Sequence, residues 1–231
     1  MKRILVTGAN RGLGLEFSRQ ALARGDRVFA AARKPSKGHD LESLQNEHAE
    51  QLSILPLDVR DEEQIGAAVS EVGKQVEGLD LLINNAGVYP RGESFGNLNE
   101  ATMLDTLHTN TVAPILMAQA FADLLSKGDE PKLVNISSLM GSIARTMGGS
   151  YSYRASKAGL NMYSKVLSSD LRPMGITVVV IHPGWVKTDM GGRGASLSLE
   201  QSISEMFKVI DEIGMADTGR YLQWDGAELP W

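Results

Sequence analysis

The sequence predicts an α/β fold: one domain on a doubly wound parallel sheet of about seven strands flanked by helices. Three observations predict it. Short runs rich in Val, Ile and Leu alternate with longer stretches of helical period, the pattern of strands buried on both faces and joined by crossover helices. A glycine-rich turn, Gly8 to Gly14, follows the first such run and opens the first helical stretch. The 231 residues hold no repeat, low-complexity tract or Pro/Gly-rich linker, so one sheet accounts for the whole span 1–231.

In chain order the strand candidates are 3–7, 27–32, 52–55, 79–84, 132–137, 177–182 and, more weakly, 220–224. Helical period fills 13–24, 40–45, 62–76, 99–125, 152–171 and 199–213. Gly25, Gly78, Gly128 and Gly175 stand where a helix should stop, a position that favours glycine. Two long glycine-containing loops, 141–150 and 191–198, each follow a strand and are expected over the carboxyl edge of the sheet, where ligands bind in such folds.

Composition narrows the function. The net charge is −5 with no basic block, so nucleic acid is not an expected partner. With 0 cysteines, disulfides and thiolate chemistry are excluded and any redox chemistry comes from a bound cofactor. No metal site is expected. No apolar run approaches the ~18 residues of a membrane span, and Ile4-Leu5-Val6 is too short for an export signal. A cytoplasmic protein is the expectation.

The turn reads Thr7-Gly8-Ala9-Asn10-Arg11-Gly12-Leu13-Gly14, where backbone N–H groups and a helix N-terminus approach a pyrophosphate without Cβ atoms in the way. The second strand ends Ala30-Ala31-Ala32-Arg33-Lys34. It offers no acid for a ribose 2′-hydroxyl, and Arg33 can fork onto a 2′-phosphate with Arg11 adding a second charge, so NADP(H) is expected. Asp58, beside Val59, is placed to accept from an adenine amino group. Asn84-Asn85-Ala86-Gly87 closes the fourth strand with small residues. Tyr153 and Lys157 lie one helical turn apart on one face. An ammonium near a phenol favours the phenolate and would lower its ordinary pKa of ~10.

These motifs, with Asn110, Asn135-Ile136-Ser137-Ser138 and Pro183-Gly184 in the same order, resemble the short-chain dehydrogenase/reductase family over nearly the whole chain. The resemblance implies a Rossmann-like domain and a catalytic set of Asn110, Ser138, Tyr153 and Lys157. It favours Ser138 over Ser137, three positions after Asn135. The family's usual serine–tyrosine spacing would land on Tyr151, but the lysine spacing selects Tyr153. Asn110 matches a helix-kinking asparagine whose region holds a water that relays protons to the lysine. The implied cofactor contacts are Gly8, Asn10, Arg11, Gly12, Leu13, Gly14, Arg33, Asp58, Val59, Asn85, Ala86, Gly87, Tyr153, Lys157, Pro183, Gly184, Val186 and Thr188.

A closer resemblance, to the carbonyl reductase group that includes Sniffer and bacterial C-factor proteins, rests on 181–192 and 224–231. It implies NADPH-dependent reduction of a ketone, aldehyde, diketone or quinone. The alternatives are a signalling or developmental protein in which cofactor binding outweighs turnover, and a 3-oxoacyl thioester reductase. A short helical lid over about 189–213 is expected to complete an apolar pocket of Met140, Met147, Trp185, Met190, Met206 and Phe207 beside Ser138 and Tyr153. Adaptable methionines suit a permissive pocket. Resemblance also implies a homodimer or homotetramer through the helices near 99–125 and 152–171.

Overall fold

The computed structural model describes residues 1–35 and 40–231. Seven strands, β1 (Arg3–Thr7), β2 (Arg27–Ala32), β3 (Leu52–Pro56), β4 (Leu81–Asn84), β5 (Lys132–Ile136), β6 (Thr177–His182) and β7 (Tyr221–Gln223), form one sheet in the order β3-β2-β1-β4-β5-β6-β7. Every pairing is parallel. The chain runs outward from β1 to β3, crosses back to β4 and runs outward again. The reversal between β1 and β4 is the topological switch point at which such sheets bind ligands.

The helices are α1 (Gly12–Ala23), α2 (Asp40–Glu47), α3 (Glu62–Gln75), α4 (Glu100–Leu107), α5 (Ala113–Leu125), α6 (Tyr151–Asp170) and α7 (Leu199–Glu212). Because strand side chains alternate, two separate cores form. Ile4, Val6, Ile83, Val134 and Ile181 pack with α1 and α7 on one face, while Leu5, Leu82, Leu133 and Val178 pack with α3 and α5 on the other. Both faces are covered, which is why the strands read as continuous apolar runs. Among the described residues no helix is long and apolar enough to cross a membrane.

Three expectations are corrected. The helical stretch 99–125 is broken at its middle by a π-helical turn, His108–Val112. Pro114 has no N–H to give the Asn110 carbonyl, so the regular ladder cannot pass through, and the wider turn carries the chain round. Gly78 and Gly128 are present for proximity: a Cβ on Gly78 would overlap the Lys127 carbonyl and one on Gly128 the Leu79 carbonyl. Gly25 and Gly175, at φ +83° and +73°, are the left-handed helix terminators expected.

The third correction concerns the lid. Helix α7 packs against α1 with Ile203, Met206, Phe207 and Ile210 in the core. Phe207 meets Phe17 edge-on with centroids 5.5 Å apart, and the Arg24 guanidinium lies 4.6 Å from the Phe207 ring centre. Met206 and Phe207 therefore line no substrate pocket. Their i, i+3, i+4 spacing with Ile203 and Ile210 is that of an amphipathic helix on a core, and only the loop before α7 is left to cover the site.

Candidate active site

The carboxyl ends of β1 to β6 open into a cavity of about 1470 Å³. Its floor begins at the glycine turn. Gly8 and Gly12 take φ of +66° and +54°, which releases the chain from β1 straight into α1. Arg11, the residue before α1, makes no side-chain cap, so the first-turn N–H groups stay available at the positive end of the helix. Gly14 lies beneath the turn rather than on the cavity wall: a Cβ there would overlap the Gly8 carbonyl and stand 2.6 Å from Asn85 Nδ2. Asn85 Nδ2 donates to the Thr7 carbonyl at 2.8 Å, tying β4 to the turn. This cradle fits a dinucleotide pyrophosphate.

At the β2–β3 end the wall is Arg33, Lys34, Asp58, Val59 and Arg60. Asp58 accepts from Arg60 through both carboxylate oxygens, at 3.2 and 3.0 Å. That hydrogen bonding, with Arg33 also nearby, holds its pKa below the ordinary carboxylate range. Arg60 also reaches Asp105 at 2.6 Å. Arg11 is a correction. Its guanidinium pairs with Asp189 at 2.8 Å, so it points across the cavity mouth instead of joining Arg33. Arg91 donates to the Asp189 and Met190 carbonyls at 2.6 and 3.2 Å. Two arginines thus fasten the loop after β6.

Opposite the turn stand Ser138, Tyr153 and Lys157, all buried and all on the cavity wall. Tyr153 and Lys157 share one face of α6, the ammonium 5.8 Å from the phenol ring centre. Lys157 Nζ donates to the Ile136 carbonyl at 2.8 Å. Burial pushes the phenol up to about 12, against hydrogen bonding with Ser138, which pulls it down. Burial alone takes Lys157 down to about 8. The expected lowering of the phenol is therefore absent from the chain itself: desolvation of the phenolate exceeds the nearby stabilisation. A neutral phenol kept protonated is suited to give a proton.

Asn110 does not line the cavity. Its side chain accepts from Val88 N at 2.8 Å and donates to the Val88 carbonyl at 2.8 Å and to Ser156 Oγ at 3.0 Å. It braces the strand β4 loop against α6, one residue from Lys157. Gly8, Asn10, Arg11, Gly12, Leu13, Arg33, Asp58, Val59, Asn85, Ala86, Gly87, Pro183, Gly184, Val186 and Thr188 line the cavity, as do Met140, Trp185 and Met190. Met147 is 73% exposed and off the wall, held out by the loop before α6. Tyr151, the first residue of α6, is also off the wall.

With this geometry in place, comparison with known proteins decides the family. The model of "short chain dehydrogenase" matches residues 2–196. The chain belongs to the short-chain dehydrogenase family. Within that family, C-signal of Myxococcus xanthus is 42% identical over 154 residues, 66% of this chain and 93% of that protein. The carbonyl reductase Sniffer of D. melanogaster superposes with a TM-score of 0.96 at 37% identity, covering 100% of both chains. The NADPH-bound carbonyl reductase from chicken fatty liver gives 0.93 at 39% identity, covering 100% of this chain and 99% of that one.

This short-chain dehydrogenase also uses residues that sequence reasoning missed. Tyr221 on β7 donates to the Ser138 carbonyl at 2.6 Å, fixing the strand end that carries Ser138. The Tyr89 ring packs against Tyr153, tilted by 59° with centroids 4.7 Å apart, and its hydroxyl is 3.0 Å from Ser150 Oγ. Glu93 accepts from Ser152 N at 2.9 Å and from Ser152 Oγ, a carboxylate at the positive end of α6. All three contacts span 59 or more residues, and no local pattern announces them.

Proposed function

We propose that this short-chain dehydrogenase is an NADPH-dependent reductase that converts the carbonyl of a ketone, aldehyde, diketone or quinone into an alcohol. The observation that carries the reading is the convergence of buried Ser138, Tyr153 and Lys157 on the cavity that the glycine turn also lines. The NADPH in the chicken reductase supports the cofactor assignment, as does Arg33 at a strand end without an acid. A complete set of reactive side chains favours an enzyme over a signalling scaffold.

A reduced nicotinamide, when bound, supplies the hydride that the carbonyl carbon accepts. Ser138 Oγ donates to the carbonyl oxygen as negative charge develops there. Tyr153 gives that oxygen its proton, completing the O–H bond. Lys157 then faces the phenolate left behind and stabilises it, while Asn110 holds the loop against α6. The glycine turn and the N-terminus of α1 would hold the pyrophosphate, and Arg33 would hold the 2′-phosphate.

Steady-state NADPH oxidation across aldehydes, ketones, quinones and 3-oxoacyl thioesters tests the reading; absence of turnover with every carbonyl would overturn it. In the same assay Arg33→Ala is expected to raise KM for NADPH about tenfold or more, the worth of a charge-assisted hydrogen bond, with KM for NADH little changed. Equal effects on both cofactors would remove Arg33 from the 2′-phosphate.

The pH profile follows from Lys157. With Tyr153 protonated to about 12 and Lys157 to about 8, kcat/KM for reduction should be level below pH 8 and fall above it as the ammonium is lost. A profile level to pH 10 would exclude Lys157 in its charged form. Stability moves oppositely. Between pH 8 and lysine's ordinary ~10.4 the unfolded chain binds the proton more tightly, so Lys157 makes stability rise with pH there.

Leu104 on α4 and Met162, Tyr163 and Val166 on α6 are apolar and exposed, which supports a homo-oligomer through these helices. Sedimentation equilibrium should give a dimer or tetramer; a monomer at micromolar concentration would refute it.

A further inference from the structure

One half-buried titratable side chain on the cavity wall takes no part in this chemistry. His182 is the last residue of β6 and lines the cavity directly before Pro183-Gly184. Its Nδ1 is buried without a partner, and among the described residues no hydrogen bond reaches its ring. Burial lowers its pKa to about 4, so the imidazole is neutral near pH 7 and carries a single N–H. An orphaned buried donor is rarer than an under-satisfied acceptor. The tautomer that leaves Nδ1 as the bare acceptor puts the proton on Nε2, the ring nitrogen that is not sealed in.

The sheet says what that N–H can reach. Ile136 of β5 pairs with Ile181 of β6, and Ser137 N donates to the Ile181 carbonyl at 2.8 Å. His182 therefore stands beside the 137–138 strand end, about one strand spacing (~4.8 Å) away. Both isoleucines pack in the core on the α1 and α7 face. By alternation Ser137 and His182 lie on the opposite face, where Ser137 Oγ meets Asn161 of α6 at 2.7 Å. Ser138, past the end of β5, also turns its hydroxyl toward α6, where it hydrogen-bonds Tyr153, so a donor on His182 stands one strand away from the hydroxyl assigned to the reacting carbonyl oxygen.

We infer that His182 is a specificity residue whose Nε2–H receives a second acceptor oxygen, a hydroxyl, ether or keto oxygen on the carbon next to the reacting carbonyl. The ligand class is α-oxygenated carbonyl compounds. Two donors on neighbouring strand ends match oxygens on neighbouring carbons, and such a ligand gives the ring N–H the acceptor that the chain does not supply. This assignment rests on the carbonyl-reductase reading.

The test compares acetophenone with 2-hydroxyacetophenone, which differ only by the α-hydroxyl, in the parent, His182→Phe and His182→Gln proteins. His182→Phe is expected to lower the ratio of kcat/KM, 2-hydroxyacetophenone over acetophenone, by roughly two- to tenfold, the span of one neutral hydrogen bond. His182→Gln, which keeps an N–H, should recover part of it. A ratio unchanged by His182→Phe would overturn the assignment. No turnover of either ketone by the parent would instead overturn the carbonyl reading, and a second readout then still decides His182. In ¹⁵N NMR of histidine-labelled protein, the ring should show the Nε2–H tautomer and an Nε2 shift on adding 2-hydroxyacetophenone. An Nδ1–H tautomer, or no shift at saturating ligand, would refute the proposal.

Discussion

Tyr153→Phe is expected to lower kcat for carbonyl reduction by about 10²–10⁴-fold, the usual worth of a positioned general acid, while NADPH affinity changes little. The substitution removes one oxygen. The ring remains, buried and packed against Tyr89 with centroids 4.7 Å apart, so the α6 face that carries Lys157 is kept. What disappears is the phenolic proton assigned to the reacting oxygen. Ser138 polarises the oxygen but is a far weaker acid, and Lys157 is tied to the Ile136 carbonyl at 2.8 Å with its charge 5.8 Å from the phenol ring centre. Fluorescence titration of NADPH separates binding from turnover. A Tyr153→Phe protein that reduces a good carbonyl substrate at the parental rate would show that the proton comes from elsewhere, whatever the fold around it.

The sequence made the sheet legible because burial on both faces leaves little choice of residue: Ile4-Leu5-Val6 and Val178-Val179-Val180-Ile181 can only be interior strands. The helix face that brings Tyr153 and Lys157 together was equally legible, since the two lie within one turn. Long-range contacts were not. Nothing near residue 221 in the chain says that its hydroxyl will hold the Ser138 carbonyl, and Glu93 reads as an ordinary loop acid until it is found at the N-terminus of α6. Met206 and Phe207 were misjudged for a different reason. Apolar residues at helical spacing announce a buried face without saying what buries it, and here the answer is α1 and the sheet. Arg11 was misplaced because its partner, Asp189, stands 178 residues away.

Gly14→Ala is expected to weaken NADPH binding about tenfold or more, the worth of a lost hydrogen bond to a charged group, and to destabilise the fold by about 1–3 kcal/mol, the usual cost of overpacking. The added methyl would overlap the Gly8 carbonyl and stand 2.6 Å from Asn85 Nδ2. Neither atom is free to yield. Asn85 Nδ2 is bonded to the Thr7 carbonyl at 2.8 Å and its backbone N–H to Thr7 Oγ1 at 2.9 Å, while Gly8 follows β1 directly. Relief must come from moving the turn itself, and with it the N–H groups assigned to the pyrophosphate. Gly25→Ala is the control. Its φ of +83° is strained for alanine, yet nothing stands within 4 Å of the new Cβ, and it lies at the far end of α1 from the turn. It should lose stability and keep NADPH affinity. Isothermal titration of NADPH with thermal unfolding of both variants separates the two effects, and a Gly14→Ala protein that binds NADPH like the parent would show that the turn does not hold the cofactor.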